Sequence, residues 1–324
     1  MSSPNPIAFF PISPLMIFPE ALGEFSVFLK QGSNYVLYAG SDEAFTERHR
    51  KALHELGITE VYVRSEQRPA FTEYVEDNLG KILGDESIPL PERSGVFYEA
   101  SANVIEGVFT EKLPGSLQEE SFQRVTRIVE TSLDFVAQEK TLKAMSSFIS
   151  HDYRTYTHCI HVFLYTVCVL QSFDMERDIL FEAGLGAMLH DLGKTRIPVE
   201  ILNKPGPLSP SEREVVSMHS VHGVSMCANL ALPHLTLNCI LCHHEKLDGT
   251  GYPSRISGED IPLPVRAVTV TDIYDALSSH RPYAPARTAF ESLNFMRTRM
   301  ADGLDMGIFK RFVEILSGAD LLGK

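Results

Sequence analysis

Positive charge is scarce in this chain. Its 324 residues hold 29 Lys and Arg against 42 Asp and Glu, for a formal net charge of −13. That balance argues against long nucleic acid as a partner, because affinity for a phosphate backbone depends on Lys and Arg neutralising phosphates. An anionic ligand must instead be captured by a local positive centre, whether a metal, a Lys or an Arg. Also lacking is any apolar run near the roughly 20 residues needed to cross a bilayer, so no membrane span is expected. The first twenty residues carry Pro11, Pro14 and Pro19 without a basic cluster, which does not read as a signal peptide. Cysteines are few: Cys159, Cys168, Cys227, Cys239 and Cys242 form an odd, irregular set. This is no disulfide framework, and it fits a reduced, cytoplasmic setting in which the thiols are small core residues. Repeats and low-complexity segments are missing too.

What is present divides the chain in two. Ser26 to Lys30 and Tyr35 to Ala39 flank Gln31-Gly32-Ser33-Asn34 and predict a hairpin. A helix is expected from about Ser41 to Gly57, a strand from Thr59 to Arg64 and a helix from Ala70 to Leu83. The polar stretch from Gly84 to Ser94, with Pro89 and Pro91, reads as a linker. The expectation is therefore a mainly α protein: a small N-terminal α/β domain over 1–88 and an all-helical bundle over 89–324. Within the bundle, Thr155 to Gln171 is apolar nearly all round, as a buried core helix is. Asp178 to Leu192 is similar, and Gly184 and Gly186 allow a neighbouring helix to approach closely. Ser209-Pro210-Ser211-Glu212 carries a capping box and predicts the start of a helix that includes His219. Leu235 to Glu245 and Val265 to Ser278 complete the helices that bear candidate site residues.

The chemistry concentrates in one ordered set. His190-Asp191 closes a buried helix; His219, His243-His244-Glu245, Asp248-Gly249-Thr250-Gly251-Tyr252-Pro253 and Asp272 follow. A buried carboxylate without a partner is costly. A cation removes that cost and keeps a neighbouring imidazole neutral and ligating. With two oxygens, Asp191 can bridge two ions while His190 binds one of them. Side chains of adjacent helical residues diverge by about 100°, so His243 and His244 serve one centre only near a helix end. A single core histidine commonly bonds to backbone and nothing more; the ordered set is what argues for metal.

These residues resemble the HD-GYP family, a branch of the HD-domain metal-dependent phosphohydrolases. The resemblance spans roughly residues 95 to 316. It rests on His190-Asp191-Leu192-Gly193-Lys194, Ile197-Pro198, Ile201 to Gly206, His243 to Pro253, Ile261-Pro262-Leu263, Asp272 to Leu277 and Arg281-Pro282-Tyr283. It implies an all-helical bundle with two or three metals, usually iron or manganese, and hydrolysis of cyclic di-GMP to pGpG and on to GMP by a metal-activated bridging hydroxide. Carried over by position, one metal takes His158, His190, Asp191 and Asp272; the other shares Asp191 and takes His219, His243 and His244. Some members place a Glu four residues before the first His to support a third metal. Arg154 stands there in this chain, so two divalent ions are expected, most naturally Fe, with Mn as the alternative. An N/O donor set without thiolate agrees with those metals and excludes few others. His161 is the runner-up to His158.

Around the metals, Lys194 is placed to reach a phosphate oxygen, and Asp191 and Lys194 are the expected catalytic pair. Arg281 offers a guanidinium fork for the second phosphate of a cyclic dinucleotide, although Ala284 stands where family members often carry a basic residue. Tyr252 projects toward the cleft or toward a partner surface. Asp275, one turn after Asp272, either orients a ligand histidine or caps or pairs with Arg. Cys239-Ile240-Leu241-Cys242-His243 matches a haem-attachment pattern, read here as coincidence because His243 belongs to the metal set. The alternative to an enzyme is a signalling adaptor of low or no activity, binding partners such as GGDEF-type cyclases. The seven candidate ligands plus Lys194 favour the enzyme, while Arg154 and Ala284 leave the adaptor open. The N-terminal unit lacks a phosphoacceptor layout, which argues against a receiver domain.

Overall fold

In the computed structural model the chain divides into two compact units, Met1–Val96 and Phe97–Lys324. The structure describes residues 8–19, 23–41, 43, 45–110, 116–145, 149, 155–279, 286–319 and 321–322.

The first unit is built on a four-stranded antiparallel sheet with strand order β1-β4-β2-β3: β1 (Phe9–Ile12), β2 (Val27–Gln31), β3 (Asn34–Ala39) and β4 (Val61–Arg64). The expected hairpin is there, Gln31 facing Asn34 across Gly32-Ser33. Its turn needs glycine, since Gly32 has a φ of 60°. β1 was not anticipated, because Pro11 weakens a strand reading. The sheet accommodates that proline by using β1 at its edge, where a missing N–H costs no ladder bond. Helix α1 (Glu47–Glu55) begins later than expected, and it ends as expected. Gly57 takes a φ of 65°, and the Ile58 amide closes back on the Leu53 carbonyl at 2.9 Å. Helix α2 (Arg68–Gly84) sets Phe71 edge-on against Phe10 and Phe25 over the sheet. Helix α3 (Leu90–Thr110) begins in this unit and continues into the next. The proline-bearing stretch read as a linker over 84–94 is thus shorter than expected. Pro91 lies in the first turn of α3, where proline is tolerated.

The second unit is helical: α4 (Glu119–Val136), α5 (Glu139–Met145), α6 (Thr155–Gln171), α7 (Arg177–Leu189), α8 (Val199–Leu202), α9 (Pro210–Ser217), α10 (His219–Met226), α11 (His234–Cys242), α12 (Leu263–Ser278), α13 (Ala289–Arg299) and α14 (Met306–Gly318). The apolar girth of α6 places it at the centre, buried continuously from His158 to Leu170 and packed on α7 and α12. Two glycines of α7 permit that density. A Cβ on Gly184 would lie 2.8 Å from the Phe163 ring, and one on Gly186 would lie 2.4 Å from Cys239 Cβ on α11. Tyr165, Tyr274 and Phe312 pack edge to face and tie α6, α12 and α14 together. A buried bond of 2.8 Å between the Thr166 and Thr271 hydroxyls adds a polar link between α6 and α12.

One expected helix is two. The Ser209–Glu212 capping box forms as expected, but the helix breaks at Met218 and His219 opens α10. The break brings the His219 carbonyl against Gly193 in the 3-10 turn Leu192–Arg196, where a Cβ would sit 1.9 Å from that oxygen. No side chain larger than hydrogen fits there without backbone movement.

Candidate metal centre

Four helix ends and one helix middle converge on a buried cluster. His158 comes from the first turn of α6, His190 and Asp191 from the end of α7, and His219 from the α9–α10 break. His243 and His244 come from the end of α11, and Asp272 from within α12. His158, His190, Asp191, His219, His243 and Asp272 are all buried, and His244 is partly exposed. The donor atoms gather as three overlapping groups able to hold an ion: His158, His190 and Asp272; His190, Asp191 and His243; and His219, His243 and His244. All seven residues read from the sequence as ligands are therefore brought together.

Asp191 sits between the groups. Its Oδ1 lies 3.5 Å from His219 Nε2; its Oδ2 lies 3.5 Å from His190 Nε2 and 3.7 Å from His158 Nε2. The two oxygens of one carboxylate thus face two donor sets, the arrangement a bridging ligand requires. Lys194 Nζ reaches Asp191 Oδ2 at 2.5 Å. On the α12 side, Asp272 Oδ1 lies 3.0 Å from His158 Nε2, and Asp272 Oδ2 lies 3.7 Å from His244 Nδ1.

The imidazoles are turned by bonds on their far sides. Nδ1 of His190 donates to the Ala187 carbonyl (2.7 Å), that of His219 to Val216 (2.7 Å) and that of His243 to Ile240 (2.9 Å). A carbonyl only accepts, so each Nδ1 carries the proton and each Nε2 of the neutral ring is a bare lone pair. Yet His219 Nε2 and His243 Nε2 face each other at 3.1 Å, and Asp191 Oδ1 is buried without a hydrogen-bond donor among the described residues. Acceptors aimed at one another are repulsive unless a cation lies among them. Two nitrogens each about 2.1 Å from a common ion lie roughly 3 Å apart when their bonds make a right angle. The donor set therefore fits divalent metal.

Protonation states agree with that use. Burial pushes His190 and His243 below the usual imidazole range, His219 down to about 4 and His244 down to about 3, despite nearby carboxylates. Burial alone would raise the Asp191 carboxyl. Lys194, His190, His158 and His219 more than reverse that effect and leave it well below the ordinary range. Asp272 is held low in the same way, chiefly by His158 at its side. Neutral rings and ionised carboxylates are the forms that bind metal.

Asp275 takes the first of its two expected roles. Its Oδ2 accepts from His158 Nδ1 at 2.7 Å, freeing His158 Nε2 for the cluster. His161, the runner-up ligand, is committed elsewhere, with Nδ1 on Asp275 Oδ1 at 2.9 Å and Nε2 on the Tyr98 hydroxyl at 3.1 Å. Tyr252 turns toward the cluster, its ring 4.7 Å from that of His244. Glu245, which sequence reading left without a role, is buried. Its Oε1 accepts from the Ser254 and Arg255 amides at 2.6 and 2.9 Å, pinning the loop behind Tyr252. An acidic residue after two buried histidines was the available signal. Gly251 makes the loop's closest approach, since a Cβ there would meet the Glu245 backbone at 2.5 Å. All five cysteines are free and buried, and burial pushes the Cys242 thiol up to about 11, so the haem-like pattern holds inert core thiols. Arg154, Arg281 and Ala284 lie outside the described residues.

Residues 160–308 match the HD domain family, whose members bind divalent metal. A cyclic di-GMP phosphodiesterase of Pseudomonas aeruginosa is 33% identical over 189 residues, covering 57% of this chain and 45% of that protein. A 3'3'-cGAMP-specific phosphodiesterase of Vibrio cholerae is 38% identical over 132 residues, or 40% of this chain and 28% of its own length. A cyclic di-GMP phosphodiesterase of Thermotoga maritima is 33% identical over 154 residues, or 46% and 42%. The chain thus spans less than half the length of these curated relatives. Among solved structures, an HDG"Y"P protein from Bdellovibrio bacteriovorus superposes with a TM-score of 0.63 at 17% identity, covering 96% of this chain and all of that one; the likeness is one of fold. The His-Asp pair, the paired histidines and Gly251-Tyr252-Pro253 thus stand in order within the segment that is similar to the HD domain family. Among the described residues, no helix is long and apolar enough to cross a membrane.

Proposed function

We propose that the protein is a metal-dependent phosphodiesterase acting on a cyclic dinucleotide, with cyclic di-GMP the first candidate and pGpG, then GMP, as products. The observation that carries this reading is the two-faced Asp191 carboxylate, one oxygen toward His219 and the other toward His158 and His190. On this reading His158, His190, Asp191 and Asp272 hold one ion, and Asp191, His219, His243 and His244 hold the other, with Fe favoured over Mn. Bound ions of this kind supply Lewis-acid polarisation of phosphoryl oxygens and acidify water.

The chain's own residues then have defined tasks. Asp191 spaces the two donor sets, and Lys194, salt-bridged to it, adds positive charge beside the phosphoryl group. Tyr252, packed on His244, offers a flat face to a nucleobase. Arg281 takes the second phosphate, and its guanidinium suits that task by fork geometry. Specificity among cyclic dinucleotides remains within the reading, since the chain is similar to relatives of both cyclic di-GMP and 3'3'-cGAMP type. GGDEF-type proteins would be partners in signalling, not part of the chemistry.

The test is hydrolysis of cyclic di-GMP and 3'3'-cGAMP by protein purified without air, with metal content measured on the same sample and Asp191→Ala alongside. Two ions per chain and linear products lost in the variant are expected. Protein that keeps its ions and hydrolyses neither substrate would overturn the enzyme reading and leave a binding role.

A further inference from the structure

Beyond the donor atoms, a chain of hydrogen bonds continues away from the cluster through residues to which the metal centre itself assigns nothing. Asp275 accepts at both oxygens, from His158 Nδ1 at 2.7 Å and from His161 Nδ1 at 2.9 Å. His161 Nε2 meets the Tyr98 hydroxyl at 3.1 Å, and the two rings stack with centroids 5.9 Å apart. His158, His161 and Asp275 are each no more than 1% exposed, while Tyr98 on α3 is half-buried.

The direction of the two bonds to Asp275 is set by chemistry. An ionised carboxylate only accepts, so both histidines carry their proton on Nδ1. The Tyr98 hydroxyl, which can donate or accept, closes the chain at His161 Nε2. Nothing in this order is interchangeable: His161 occupies the second oxygen of Asp275 and stops that carboxylate from rotating away from His158.

We propose that His161 and Tyr98 are positioning residues, a buttress that fixes Asp275 and, through it, the ring of His158. The proposal rests on His158 being a metal ligand, as read above. Partners one step behind a ligand histidine set its tautomer and orientation, and losing them weakens metal binding by about 10- to 100-fold. His161 and Tyr98 stand one and two steps further out. They act only on the ion that His158 holds, so the other ion serves as an internal reference.

Cobalt(II) titration of the full chain tests this, with dissociation constants from chelator competition and the visible absorption of the bound ion as a report on ligand geometry. Wild type should bind two ions and Asp191→Ala should lose them. His161→Leu should weaken one ion by about 10-fold or more, with a shifted visible band, and leave the second unchanged. Tyr98→Phe should weaken the same ion by less. His161→Asn, whose amide N–H can stand near the lost Nδ1–H, should recover most of the affinity. Should His161→Leu fail to fold, Tyr98→Phe and His161→Asn carry the decision. Folded variants that bind both ions with wild-type affinity and spectrum would overturn the buttress while leaving the metal centre intact. A wild type that binds no cobalt would instead remove the metal centre, and the buttress with it.

Discussion

Asp191 concentrates the site's demands on one side chain. It is 1% exposed, carries a charge, and leaves Oδ1 without a donor among the described residues. Asp191→Asn keeps the shape and removes the charge, so metal content should fall below one ion per chain and hydrolysis by more than about 100-fold, given that losses even one step behind a ligand reach that size. Metal analysis and product chromatography on one preparation check both. Lys194→Ala separates two readings of its ion pair. If Lys194 serves the phosphoryl group, metal content should persist while turnover drops by about 10- to 100-fold, the scale of one lost charge-assisted contact. The residues that could be read in advance were those whose chemistry is unusual in a core: seven nitrogen and oxygen donors, each improbable in an apolar setting without a job. Tyr98 could not be read that way. It lies 63 residues before His161 on a helix with other aromatics, and its task exists only through a fold that brings α3 to His161.

Helix ends do the positioning. Capping chemistry is local, so the start of α9 at Ser209 and the stop of α1 at Gly57 were legible. The break at Met218 was not, because what accompanies it is a distant backbone contact between Gly193 and His219 that no local signal announces. Gly193→Ala is accordingly expected to destabilise by about 1–3 kcal/mol or more, as overpacking does, and to loosen His219 from the cluster. Chemical denaturation paired with metal titration would show both, and an unchanged midpoint would contradict the contact. The capping box also predicts a pH effect. Glu212, bonded to Lys204 and to the Ser209 amide, has its carboxyl pulled from 4.5 down to about 2. Because the folded value is the lower one, its contribution is present above about pH 4.5 and fades as pH falls toward 2. Glu212→Gln should therefore lower the melting temperature at pH 6 and converge on wild type near pH 2.

At the scale of the molecule, ions held by the proposed ligands from five helices would act as a cross-link within the second unit. Metal bound at 100 times its dissociation constant stabilises by about 2.7 kcal/mol, and a unit of this size shifts by roughly 2–4 °C per kcal/mol. Chelation should thus lower its melting temperature by roughly 5–10 °C, with recovery on adding metal back; scanning calorimetry gives the answer. The mainly helical build and the small sheet ahead of it followed from periodicity, whereas β1 was hidden by Pro11, which only an edge position makes harmless. A last consequence comes from the carbonyls of Ala187, Val216 and Ile240, which pin three imidazoles at the spent ends of their helices. Such ends carry partial negative charge, and they sit beside two ionised carboxylates. Without cations the cavity is hostile to a phosphodiester, so on the proposed reading metal would have to enter first, and the nucleotide could follow only into a pocket whose sign has been inverted. Chelated protein should show no calorimetric binding of cyclic di-GMP at concentrations that saturate the loaded form.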